Sequence, residues 1–147
     1  MSRGPMELEV ITPETFVPFG TVVDWTPELE KTGIPFHILV RSEALTGWRM
    51  AMLKGSARAT QQMENHPHTE ELFAPVNGMS VILVARPGPF DEGDLHAFLL
   101  DRPVSVAPGV WHGNFCLSES ASVLIAENLE VSSEYAKLSR PVGAVLA

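Results

Sequence analysis

The sequence predicts an all-β domain, a barrel of many short strands with one or two short helices, and three observations lead there. Twelve prolines and eleven glycines break the 147-residue chain at separated, turn-like positions, which suits a many-stranded fold better than a helical bundle. Turn signals recur at about 8–12 residues, the spacing of barrels and sandwiches. Val81 to Ala85 is a continuous apolar run between Gly78 and Pro87-Gly88-Pro89, as expected of a strand buried on both faces.

The elements follow in order. Glu7 to Val10 reads as a short strand. Thr12-Pro13-Glu14 opens a helix: Thr caps, Pro fits the first helical position, and Glu suits the positive end. Pro18 and Gly20 hold that helix to a turn or two, and Thr21 to Asp24 returns to β character. Strands are expected at Pro35 to Val40, Trp48 to Leu53, Phe98 to Leu100, Val104 to Val106 and Ser122 to Ala126. A short helix is expected over Glu134 to Leu138. With no repeat, low-complexity segment or linker, one domain over residues 1–147 is the simplest organisation.

Composition bounds the function. The 45% apolar content supports a globular core and argues against disorder. A net charge of -8 with no Lys/Arg cluster removes the main source of nucleic-acid affinity and of polybasic membrane attachment. Cys116 is the only cysteine, which fits a reducing compartment and precludes a Cys-rich zinc site within one chain. The opening MSRGPMELEV lacks the apolar stretch of a signal peptide. No run approaches the roughly 20 apolar residues that span a bilayer, so a cytoplasmic, membrane-free protein is expected.

The chemistry concentrates in two segments. The first runs from His66-Pro67-His68 through Glu70-Glu71 to Phe73, Pro75 and Gly78; the second is Pro108-Gly109-Val110-Trp111-His112. On a strand, His66 and His68 would share a face. Imidazole is a common metal ligand near neutral pH, and a carboxylate completes a mixed N/O site. Glu71 lies an odd number of positions from His68, so it joins that face only through a bulge or strand break. On a regular strand Glu70 takes its place. His37 and His96 read as ordinary hydrogen-bonded histidines, and Trp25, Trp48 and Trp111 as core candidates, with Trp111 also able to wall a pocket.

His-x-His followed by glutamate, then glycine, then Pro-Gly-x-x-His resembles the two motifs of the cupin superfamily, although only two residues separate His68 from Glu71. The sequence is more closely similar to the ureidoglycolate lyase (ureidoglycolate hydrolase) family. Thr12-Pro13-Glu14, Phe16 to Gly20, Glu64, His66-Pro67, Phe73, Pro75, Gly78, Asp94-Leu95, Ala97-Phe98 and Val110-Trp111-His112 fall in that family's order. The chain departs from it where Glu71 stands for glutamine, Lys54 for arginine, Asn128 for arginine and Ala107 for histidine, and in the gain of His68.

The resemblance implies a cupin-type barrel (a double-stranded β-helix, or jelly roll), a homodimer, and cleavage of ureidoglycolate to glyoxylate and urea in allantoin and purine catabolism. The expected metal ligands are His66, His68, Glu71 and His112, holding a divalent ion such as Ni, Mn, Fe or Zn. Glu71 is either a ligand or the general base, and His112 and Lys54 are further catalytic candidates. Lys54 or Arg58 would hold the carboxylate of a small-molecule substrate, with Trp111 and Phe73 as walls. The alternatives are a metal-dependent cupin dioxygenase or isomerase acting on a small acid, and a non-catalytic small-acid-binding module.

Overall fold

In a computed structural model, residues 6–42 and 47–143 are described. The chain begins with β1 (Leu8–Glu9), the one-turn helix α1 (Pro13–Phe16), β2 (Gly20–Val22) and a second one-turn helix α2 (Pro27–Glu30). It continues through β3 (Arg49–Gly55), β4 (Ala59–Asn65), β5 (Glu71–Asn77) and β6 (Ser80–Ala85). After a 3₁₀ turn (Glu92–Asp94) come β7 (His96–Leu99), β8 (Val104–Val106), β9 (Trp111–Cys116), β10 (Ala121–Glu127) and β11 (Glu134–Gly143). A six-stranded sheet in the order β1-β7-β6-β9-β4-β11 faces a five-stranded sheet in the order β2-β8-β5-β10-β3.

The all-β class and the jelly-roll architecture are as the sequence implies, formed as two facing sheets and not as a closed barrel. β1 and β11 end one sheet and β2 and β3 the other, giving a two-sheet sandwich of jelly-roll type. The apolar run of β6 behaves as its continuity implies. Ile82 and Val84 enter the inter-sheet core with Phe73, Val104, Val123 and Ile125. Val81, Leu83 and Ala85 enter a second core on the other face of the six-stranded sheet, with Met63, Trp111, Phe115 and Leu138. Each of these fully buried aliphatic side chains contributes roughly 1.5–3 kcal/mol.

The α1 helix forms where its cap signals place it. The Thr12 hydroxyl accepts from the Thr15 amide at 3.0 Å, and the Thr15 hydroxyl accepts from the Thr12 amide at 2.9 Å. The turn exists to deliver Phe16 into the core, edge-on to Phe98 with ring centroids 5.3 Å apart.

Two segments differ from expectation. Pro35 to Val40 forms no strand: Phe36 and Ile38 are exposed, while Leu39 and Val40 lie over the outer side of the five-stranded sheet. Pro35 has no N–H to donate to a ladder. Glu134 to Leu138 is not a helix but the start of β11, paired with β4. Its core-facing residues, Ala136, Leu138 and Val142, fall at even spacing. Pro141 is tolerated because β11 is an edge strand, and its register shifts between Lys137 and Val142.

Candidate active site and metal centre

Strand pairing brings the chemistry together as two facing rows. In the six-stranded sheet His112 of β9 lies opposite Glu64 of β4, and Glu64 opposite Tyr135 of β11. In the five-stranded sheet Glu71 of β5 lies opposite Glu127 of β10, and Glu127 opposite Arg49 of β3. His66 stands just past the end of β4, and the chain turns at Pro67-His68 before β5 starts at Glu71. That break resolves the parity question: Glu71 faces the histidines, and Glu70 instead lines a cleft of about 420 Å³ on the outer side of the five-stranded sheet. The Pro108-Gly109 turn is tied to the same place. Gly109 adopts φ +81°, a left-handed conformation that favours glycine, and its amide donates to the His66 carbonyl at 2.9 Å.

Four side chains converge. His66 Nε2 lies 2.9 Å from Glu71 Oε2 and 3.2 Å from Glu64 Oε1. His112 Nε2 lies 3.1 Å from the same Glu71 oxygen and 3.6 Å from the same Glu64 oxygen. One potential ligand atom from each residue falls within 4.8 Å of all the others. His66, Glu71 and His112 are buried, whereas the Glu64 side chain is 33% exposed and forms the open side. Phe73 walls the group from within, its ring 5.3 Å from the His112 ring.

The outer ring nitrogens fix the inner ones. His112 Nδ1 donates to the Val110 carbonyl at 3.2 Å, and His66 Nδ1 lies 3.2 Å from both the Ser132 carbonyl and the Ser133 hydroxyl. In the neutral imidazoles this arrangement turns the Nε2 lone pairs inward, as in metal-bound histidines. His66 Nε2, His112 Nε2 and Glu71 Oε2 are buried yet make no well-angled hydrogen bond. They stand at ion-pair distance from one another, with Glu71 Oε2 2.9 Å from His66 Nε2 and 3.1 Å from His112 Nε2. Two imidazole nitrogens with carboxylate oxygens form a donor set suited to a divalent transition ion, so the residues fit a metal.

Without a metal the cluster is strongly coupled. Burial alone would raise the Glu71 carboxyl, but the His112 and His66 imidazoles hold it down at about 2. Burial alone would lower His112, but Glu64 and Glu71 push it up to about 9. Burial opposes charge on His66 as well, yet Glu71 raises its pKa. Glu64 is lowered, chiefly by its contact with His112.

Of the residues singled out in the sequence, the fold gathers His66, Glu71, His112 and Phe73. His68 is exposed in the turn between β4 and β5 and is not among the converging side chains. The two-residue periodicity that would pair it with His66 does not apply within a turn. Trp111 alternates away from His112, packs edge-on against Phe90 in the second core, and donates from Nε1 to the Gly88 carbonyl at 2.9 Å. Lys54 pairs in register with Ser122, at the opposite end of β3 from Arg49. Arg58 donates to the Leu117 carbonyl in the same distant region. Glu64, Glu127 and Arg49 were not singled out as ligands or binding residues. Glu64 was within reach, because it sits two residues before His66 and shares its face by the strand period.

A two-sheet β-sandwich of jelly-roll type, with a buried His/Glu centre able to hold a metal ion, defines a cupin-like enzyme architecture. The family model described as Ureidoglycolate lyase matches residues 4–136. The chain therefore belongs to the ureidoglycolate lyase family, a family of carbon–nitrogen lyases that cleave ureidoglycolate in purine catabolism. A comparison with curated proteins finds no match. Among the described residues no helix is long and apolar enough to cross a membrane.

Proposed function

We propose that the cluster of Glu64, His66, Glu71 and His112 is the centre at which this chain cleaves ureidoglycolate to glyoxylate and urea. The observation that carries this reading is the convergence of buried, inward-turned Nε2 and carboxylate oxygen atoms beside one partly open carboxylate. Ureidoglycolate bears a hydroxyl and a ureido nitrogen on one carbon. As the carbon–nitrogen bond breaks, the hydroxyl proton leaves, the carbonyl forms, and the departing nitrogen gains a proton, with no water consumed.

His66, His112 and Glu71 are the residues that would hold a divalent ion (Ni, Mn, Fe or Zn). Such an ion would acidify the substrate hydroxyl and fix the substrate's orientation. Glu71 is buried and lies within 3.1 Å of both histidine Nε2 atoms, the position of a ligand. Glu64 is the carboxylate with solvent access, and it takes the hydroxyl proton and returns it to the ureido nitrogen. Phe73 keeps the inner wall dry and fixes the His112 ring. Glu64→Gln keeps the shape and removes the proton acceptor, so kcat should fall about 10²–10⁴-fold with metal content unchanged. Full turnover in that variant would overturn the assignment. For assembly, the resemblance implies a homodimer. Edge strand β3, exposed along its whole length and carrying Met50 and Met52, is the surface we propose for it.

A further inference from the structure

Three carboxylates crowd one imidazole nitrogen. Glu71, Glu64 and Glu127 lie 2.9, 3.2 and 4.0 Å from His66 Nε2. A small-acid substrate entering from the open side meets this anionic wall, and its own carboxylate needs a cation there. Lys54 and Arg58 stand at the far end of the sandwich. Arg49 stands beside the cluster, continuing the row Glu71, Glu127, Arg49 across three adjacent strands.

We infer that Arg49 is the residue that selects a carboxylate-bearing substrate at this site, with Glu127 positioning its guanidinium. The inference rests on the proposed reaction and deepens it. Arg49 donates from Nε at 3.0 Å and from Nη2 at 2.7 Å to a single oxygen, Glu127 Oε1. Glu127 itself is nearly buried, whereas the Arg49 side chain is 48% exposed. One edge of the fork is thus anchored by a fixed carboxylate. A guanidinium has five donors, so the remaining edge is available to a second carboxylate in the planar, two-point manner arginine favours. Lys137 of β11, opposite Gln62 of β4, serves as the control.

The experiment compares the wild-type chain with Arg49→Gln, Arg49→Lys and Lys137→Ala, each metal-loaded and checked for folding by circular dichroism. Steady-state kinetics on ureidoglycolate give KM and kcat. Calorimetry gives binding of oxalate and of its uncharged isostere oxamide. Loss of a charge-assisted carboxylate contact should raise KM and the oxalate Kd about 10- to 100-fold in Arg49→Gln. Oxamide binding should stay level and kcat should remain within a few-fold. Arg49→Lys should recover part of the loss, and Lys137→Ala should match wild type. Unchanged oxalate binding in Arg49→Gln, an equal loss for oxalate and oxamide, or a loss that tracks Lys137 would overturn the inference. If wild type fails to turn over ureidoglycolate yet oxalate binding still depends on Arg49, the anion site stands and the proposed reaction falls.

Discussion

The contacts of His112 with Glu64 and Glu71 set a stability profile that the metal-stripped protein should display. His112 has its pKa pushed from 6.5 to about 9 in the folded chain. A group raised in this way contributes its full stability below the unfolded value and loses it as pH climbs through the folded one. At about 1.4 kcal/mol per pH unit, the stripped protein should lose about 3 kcal/mol between pH 6.5 and pH 9. Glu71 works in the opposite direction, from 4.5 down to about 2. Its contribution is complete above pH 4.5 and fades as pH falls toward 2. The two shifts share the His112–Glu71 contact, so they are not summed, and the plateau lies between pH 4.5 and 6.5. The assay is urea unfolding of chelator-treated protein at pH 5.5, 7.5 and 9, with Glu71→Gln alongside. In that variant the alkaline decline should become shallower, the Glu64 contact with His112 remaining. A wild-type curve level from pH 6.5 to 9, or a decline as steep in Glu71→Gln, would refute the reasoning.

Other outcomes follow from where the side chains lie. His68→Ala, in an exposed turn, should bind metal and turn over substrate as wild type does; metal loss measured by atomic absorption would restore it to the ligand set. Trp111→Ala removes a nearly buried indole from the second core, so unfolding free energy should drop by about 3–5 kcal/mol with KM unchanged in whatever folded fraction remains. A large KM change at constant stability would instead make Trp111 a pocket wall.

Much of the fold was legible because its signals are local. The Val81 to Ala85 run forecast a strand buried on both faces, and Thr12-Pro13 marked a helix start. Glu134 to Leu138 misled because five residues of mixed polarity fit a helical turn as well as an edge strand. Only pairing with β4 decides between them. Pro35 to Val40 has β-prone residues but no neighbouring strand to complete a ladder. At the candidate site, the motifs carrying His66 and His112 come together in the fold, while His68 and Trp111, adjacent to them in sequence, lie in an exposed turn and in the second core. Arg49, Glu64 and Glu127 come from three separate strands, and their meeting is a product of sheet register that no single segment records.

The central claim is that the His66, Glu71 and His112 centre performs metal-supported cleavage of ureidoglycolate. Its most direct test is glyoxylate release from ureidoglycolate by the purified chain, stripped by chelation and then resupplied with Ni²⁺ or Mn²⁺, beside His112→Ala. Release should vanish on chelation, return with metal, and be absent from a folded His112→Ala protein at every metal concentration. Release that is indifferent to chelation, or full release by His112→Ala, would contradict it.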